Sequence, residues 1–134
     1  KGNPENMQKN TKYVSVIDNI CAFFEKRISI AKDYGILDRN IILDPGIGFG
    51  KSSDDNFRIV KNIGKFKEIG YSVLIGLSRK SFLSFKKDNP SDRLSATISM
   101  NTLSILNGAD IIRVHDSFEA MKMKNVLTKY DYWN

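Results

Sequence analysis

The sequence holds one cysteine and one histidine in 134 residues, too few for a disulfide framework or a zinc site. Cys21 lies among apolar residues on an expected helix, so it reads as a core thiol. No apolar run approaches the ~18 to 20 residues that cross a bilayer, and residues 1–5 carry nothing like the apolar centre of a signal peptide. A cytoplasmic protein without membrane association is therefore expected. Low-complexity linkers, internal repeats and blocks of five or more basic residues are also missing. The net charge of +6 is spread over lysines such as Lys9, Lys26, Lys61 and Lys67, the pattern of a solvated basic surface rather than of a nucleic-acid-binding tract.

Hydrophobic residues at 41% and charged residues at 27% are the balance of a soluble globular chain, and the length allows one domain or a piece of one. The chain opens without methionine, in a turn-like Lys1-Gly2-Asn3-Pro4, as a piece of something longer would.

Apolar Val16, Ile17, Ile20, Phe24, Ile28 and Ala31 recur at helical spacing and predict a helix from about Val14 to Tyr34, closed by Gly35. Ile41-Ile42-Leu43 is too short for a helix and reads as a buried strand running into Asp44-Pro45-Gly46. Ser52 with Asp55 resembles a capping box, and a second helix follows through Phe57, Ile59, Val60, Ile63 and Phe66 to Gly70. The cycle repeats with a strand at 73–77, a loop at Ser78-Arg79-Lys80 and a helix from about Ser91 to Asn107. A strand at 111–114 and a last helix capped by Asp116 or Ser117 complete the pattern, with Tyr130 to Asn134 as a tail. Short apolar strands alternating with helices define an α/β fold built on a parallel sheet.

Each strand runs directly into a chemically loaded segment: Asp44 to Lys51, Ser78 to Lys80, and Arg113 to Asp116. Parallel strands share one C-terminal end, where α/β sheets and barrels bind their ligands. Gly50-Lys51-Ser52 matches the end of a phosphate-binding loop, but Pro45 stands where that motif begins, so the match fails. The three alternating glycines instead allow a tight loop with Phe49 exposed as an apolar contact. Asp44, closing a buried strand, needs donors, from a helix N-terminus, from Lys51, or from the two adjacent N–H groups of an aminopyrimidinone-like ligand. Ser78 and Lys80 are two apart in an expected extended segment and so point the same way, as do Arg113 and His115. Lys80, Arg113 and His115 together form a cluster receptive to anions.

Ile42-Leu43-Asp44-Pro45-Gly46-Ile47-Gly48-Phe49-Gly50-Lys51, Gly76-Leu77-Ser78-Arg79-Lys80-Ser81-Phe82 and Arg113-Val114-His115-Asp116 resemble, in order and interval, the signature segments of the dihydropteroate synthase family. Lys1 to Gln8 is similar to the loop after that family's fifth strand, and Asp92-Arg93-Leu94-Ser95 to the start of its seventh helix. The resemblance implies the C-terminal part of a (β/α)8 TIM barrel, strands six to eight with their helices, as one domain portion over residues 1–134. It also implies a transferase of folate biosynthesis that joins a pterin diphosphate to p-aminobenzoate. Asp44 would pair with the pterin edge, Lys80 would bind the ring and Arg113 would stack on it. Arg113 and His115 would hold the diphosphate, and Gly48, Phe49 and Ser78 would line the p-aminobenzoate site, where sulfonamides compete; Lys51 joins the substrate-binding set. Lys80, Arg113 and His115 are the implied catalytic residues. Mg2+ would arrive with the diphosphate, its ligands lying in the missing half, and a homodimer through the late helices is implied. The fragment alone should be inactive, with a sheet edge exposed at its first strand. A pterin-binding methyltransferase domain and a basic nucleic-acid module are the competing readings.

Overall fold

A computed structural model describes residues 4–130, with side chains from Val16 onward. The first helix, α1, runs Pro4–Asp33 and so begins well before the expected Val14. The opening from Pro4 is therefore helical rather than the expected loop, consistent with proline's fit to a first helical turn. Residues 1–3 and 131–134, where a turn and most of the tail were expected, lie outside the described residues.

A single-turn 3₁₀ helix at Asp38–Asn40 leads into β1, Ile42–Leu43. The capping box at Ser52 is present, each partner bonding the other's backbone, and it starts α2 at Ser53–Lys61. The expected single helix to Gly70 is in fact broken at Asn62, where α2 ends and α3, Ile63–Lys67, begins. Asn62 shares its N–H between the carbonyls of Arg58 and Ile59 and donates its side-chain amide to Arg58 as well, which closes the turn. Then follow β2, Ser72–Ile75, two more 3₁₀ turns at Ser81–Leu83 and Pro90–Arg93, α4 at Leu94–Leu106, β3 at Ile111–Ile112, and α5 at Ser117–Lys129.

The strands form a parallel sheet in the order β1-β2-β3, with Leu43 opposite Val73 and Leu74 opposite Ile111. Leu43, Val73 and Ile75 turn toward the helices and are buried with Phe24, Ile59, Val60, Ile63, Phe66 and Met100. Phe24 meets Phe66 edge-on at 5.7 Å between ring centres, tying α1 to α3 across this core. Ile105, Met123 and Leu127 make a smaller cluster between α4 and α5.

The other sheet face is not buried in the same way. Ile42 is 51% exposed, and Leu74 and Ile111 are only half-buried. Of the three strands expected to be buried, only the central β2 has two side chains inside, Val73 and Ile75. β1 and β3 are edges, and the apolar residues of the open face lack the cover a closed barrel would give them.

Candidate functional site

Asp44 follows β1 at the C-terminal end of the sheet. It is exposed rather than buried, and its Oδ1 accepts the Gly46 N–H at 2.9 Å. The expected partnership with Lys51 does not form: Lys51 Nζ donates to the carbonyls of Gly46 and Phe49, at 2.8 and 3.1 Å, and clasps the loop. Gly46, Gly48 and Gly50 have φ of +72°, +86° and +62°, backbone that other residues adopt only with strain. Asn56, buried on α2, accepts the Gly48 N–H at 2.8 Å. The loop is thus a fixed shape, with Phe49 standing 72% exposed.

After β2 the chain does not stay extended. Arg79 has φ +59°, and the Lys80 N–H bonds Leu77 O at 3.2 Å to close a turn. Ser78 and Lys80 consequently point apart, because a left-handed residue between them cancels the alternation of an extended strand. Ser78 is 5% exposed, and its Oγ accepts the His115 N–H at 3.2 Å and meets His115 Nδ1 at 2.9 Å. Lys80 reaches across to the glycine loop instead. Its ammonium donates to Ile47 O and lies 4.8 Å from the centre of the Phe49 ring, while its stem packs on Gly48.

Arg113 extends the β3 ladder, its N–H bonding Ile75 O at 3.0 Å. Its guanidinium lies against the backbone of Gly76, so close that a β-carbon there would fall 2.6 Å from Nη2. Arg113 and His115 are therefore divided between two neighbours, Gly76 and Ser78. Burial, then the nearby Arg113 cation, push the Lys80 ammonium below its usual pKa range, while Asp44 pulls it up and Lys51 pushes it down. Asp44, Lys80, Arg113 and Lys51 therefore share one electrostatic neighbourhood.

That depression has a sign for stability. The folded chain releases the Lys80 proton earlier than the unfolded chain, so between the two pKa values the unfolded state holds more protons and stability climbs with pH. Below that interval the ammonium is a fixed cost to folding. Urea unfolding from neutral pH into the ordinary lysine range should show this climb, and Lys80→Met should lack the part that Lys80 supplies.

Four residues that hold the site were not among the candidate site residues read from the sequence. Arg79 Nε and Nη2 fork onto the Asp116 carboxylate at 3.2 and 2.6 Å, which draws that carboxylate below its usual range. Asp116 does stand at the N-cap of α5, but its side chain makes no capping bond because Arg79 holds it. Thr97 Oγ1 accepts the Arg79 N–H at 3.1 Å, and Arg93 Nη1 donates to Arg79 O at 2.7 Å. Asn56 is the fourth; nothing in its sequence context distinguishes it from any other helical asparagine.

A cleft of about 310 Å³ lies between α1 and the glycine loop, lined by Asn19, Phe23, Phe24, Asp44, Pro45 and Lys51. A flat ligand edge bearing adjacent N–H donors matches the exposed Asp44 carboxylate, and an anion matches Lys80 and Arg113. Among the described residues no group of three or more His, Cys, Asp or Glu is placed to hold a metal ion.

A sequence model of the pterin binding enzyme family matches residues 1–115. The dihydropteroate synthase of Synechocystis sp. is 40% identical over 123 residues, covering 90% of this chain and 42% of that protein. The dihydropteroate synthase of Haemophilus influenzae is 40% identical over 117 residues, covering 87% and 42%. Among solved structures, a dihydropteroate synthase from Xanthomonas albilineans in complex with 7,8-dihydropteroate superposes with a TM-score of 0.85 at 31% identity, covering 91% of this chain and 47% of that one. The same enzyme with 4-aminobenzoic acid gives a TM-score of 0.78 at 31% identity, covering 87% and 44%. The chain thus spans less than half the length of these relatives. With its matched segments meeting at one sheet end, the chain belongs to the pterin binding enzyme family.

Proposed function

We propose that this chain is the C-terminal portion of a dihydropteroate synthase. In that reading residues 1–134 are one domain portion, contributing strands six to eight and their helices to a (β/α)8 barrel. The whole enzyme condenses 6-hydroxymethyl-7,8-dihydropterin diphosphate with p-aminobenzoate, giving 7,8-dihydropteroate and diphosphate. The observation that carries the reading is the convergence of Asp44, Lys80 and Arg113 from neighbouring strands at one sheet end, within one another's electrostatic reach. The open face with Ile42, Leu74 and Ile111 supports the barrel, since closure would bury it.

In the reaction the carbon–oxygen bond to diphosphate breaks first, and diphosphate departs with the electron pair. The pterin methylene cation left behind is attacked by the arylamine nitrogen, which forms the new carbon–nitrogen bond and releases a proton. Charge builds on the leaving oxygens, where Lys80, Arg113 and His115 are suited to receive it. Asp44 orients the pterin edge, and Gly48, Phe49 and Ser78 belong to the arylamine and sulfonamide side, with Lys51 holding the loop. Mg2+ does not fit any cluster of the described residues, so we assign it to the substrate diphosphate and to residues outside this chain, and route no step through it.

A homodimer through the late helices is part of the same proposal, supported by the exposed apolar Leu103, Leu106, Met121 and Val126 on α4 and α5. So is a cytoplasmic setting; no helix of the described residues is long and apolar enough to cross a membrane. The test is diphosphate-dependent condensation with p-aminobenzoate, run on the chain alone and joined to the upstream half of the Synechocystis relative. Activity is expected only in the joined form. A joined form that folds yet gives no product would overturn the reading, and salt-sensitive binding to random DNA would favour the nucleic-acid alternative.

A further inference from the structure

We infer that Arg79 is a positioning residue that, through Asp116, fixes which nitrogen of His115 carries the proton. The inference deepens the site reading above and rests on it for its use, but its test needs no substrate.

Arg79 is the one residue other than glycine with positive φ among the described residues, and such backbone persists only where the surroundings over-determine it. Here they do. Its N–H is held by Thr97, its carbonyl by Arg93 and its guanidinium by both oxygens of Asp116. Arg93 is itself held by Asp88, which also accepts the Ser84 hydroxyl. Asp116 is the residue after His115, and Ser78 is the residue before Arg79, so the fork clamps the two segments that carry the Ser78–His115 contact.

The His115 N–H already donates to Ser78 Oγ. The buried Ser78 hydroxyl hydrogen still needs an acceptor, and His115 Nδ1, at 2.9 Å, is in reach. Nδ1 therefore accepts, and the neutral ring carries its proton on Nε2. His115 is exposed, so this leaves an N–H donor on the ring without requiring a charged imidazole. A donor of that kind suits a phosphate or carboxylate oxygen.

His115 is the single histidine of the sequence, so its ring signals in a long-range ¹H–¹⁵N spectrum identify themselves. In the neutral ring, Nδ1 should show the unprotonated shift and Nε2 the protonated one. Arg79→Gly removes the fork while keeping a residue at ease with positive φ, and Asp116→Asn removes the charge at constant shape. In both, the two ring shifts should move toward the averaged values of a free imidazole, and the His115 amide should exchange about tenfold faster, with the thermal transition retained. Unchanged ring shifts and exchange in either folded variant, or a protonated Nδ1 in the parent, would overturn the inference. If the joined enzyme lacks condensation activity while the ring behaves as described, the functional reading fails and the positioning role stands.

Discussion

In the joined enzyme, Lys80→Ala and Arg113→Ala are each expected to lower the condensation rate by about 10²- to 10³-fold, the range for losing one preorganised group that meets developing charge. The diphosphate oxygens gain charge as the carbon–oxygen bond breaks, and no solvent reorganisation is needed if the cations already stand there. Lys80 is suited to that role because its ammonium is already partly desolvated beside Arg113. It is held meanwhile by Ile47 O and the Phe49 ring, both released when a ligand takes its place. The loss should fall on kcat as well as on kcat/KM, since the added charge on the leaving oxygens develops only in the transition state. Full rates in both variants, measured with saturating pterin diphosphate, would reject the assignment of these two residues.

The α/β pattern was legible because each level of the chain agrees with the next. Short apolar runs at 41–43, 73–77 and 111–114 sit between segments of helical period, and the Ser52–Asp55 capping box marks α2 as expected. The convergence of Asp44, Lys80 and Arg113 followed from parallel strands sharing one end. What was not legible depends on single backbone angles and on distant partners. Arg79 looks like any loop arginine, yet its φ of +59° sends Ser78 to His115 and Lys80 to the glycine loop, undoing the two-residue alternation. The break at Asn62 is of the same kind, since apolar periodicity runs through it unchanged while the asparagine bonds its own preceding turn. Asp44 was expected to be a buried carboxylate because it follows an apolar strand. That strand is an edge, so water reaches the group. Sequence period reports which residues could face a core, but an edge position depends on what lies beside the strand.

The same reasoning gives Gly76 an expected effect close to that of the cation it carries. Gly76 is buried, and its φ is not in the left-handed region, so backbone freedom is not why a glycine stands there. Glycine in an extended segment is unfavourable by about 0.5 to 1 kcal/mol against alanine, which makes it a cost unless the missing side chain is useful. Space is what it provides. A β-carbon would lie 2.6 Å from Arg113 Nη2, 3.0 Å from Cζ and 3.1 Å from Nε, against the whole width of the guanidinium. Because that group is the far end of an exposed, flexible side chain, Gly76→Ala should fold nearly normally and move the guanidinium instead. A displacement of about 1 Å at a charge-stabilising group can cost on the order of 10²-fold in rate, so Gly76→Ala is expected to lose about 10- to 10²-fold in condensation. The informative comparison is made in the Arg113→Ala background. There the guanidinium is gone, the added methyl meets nothing of it, and Gly76→Ala should change the rate by less than about twofold. Equal losses in both backgrounds would mean that the glycine acts on the substrate directly and not through Arg113.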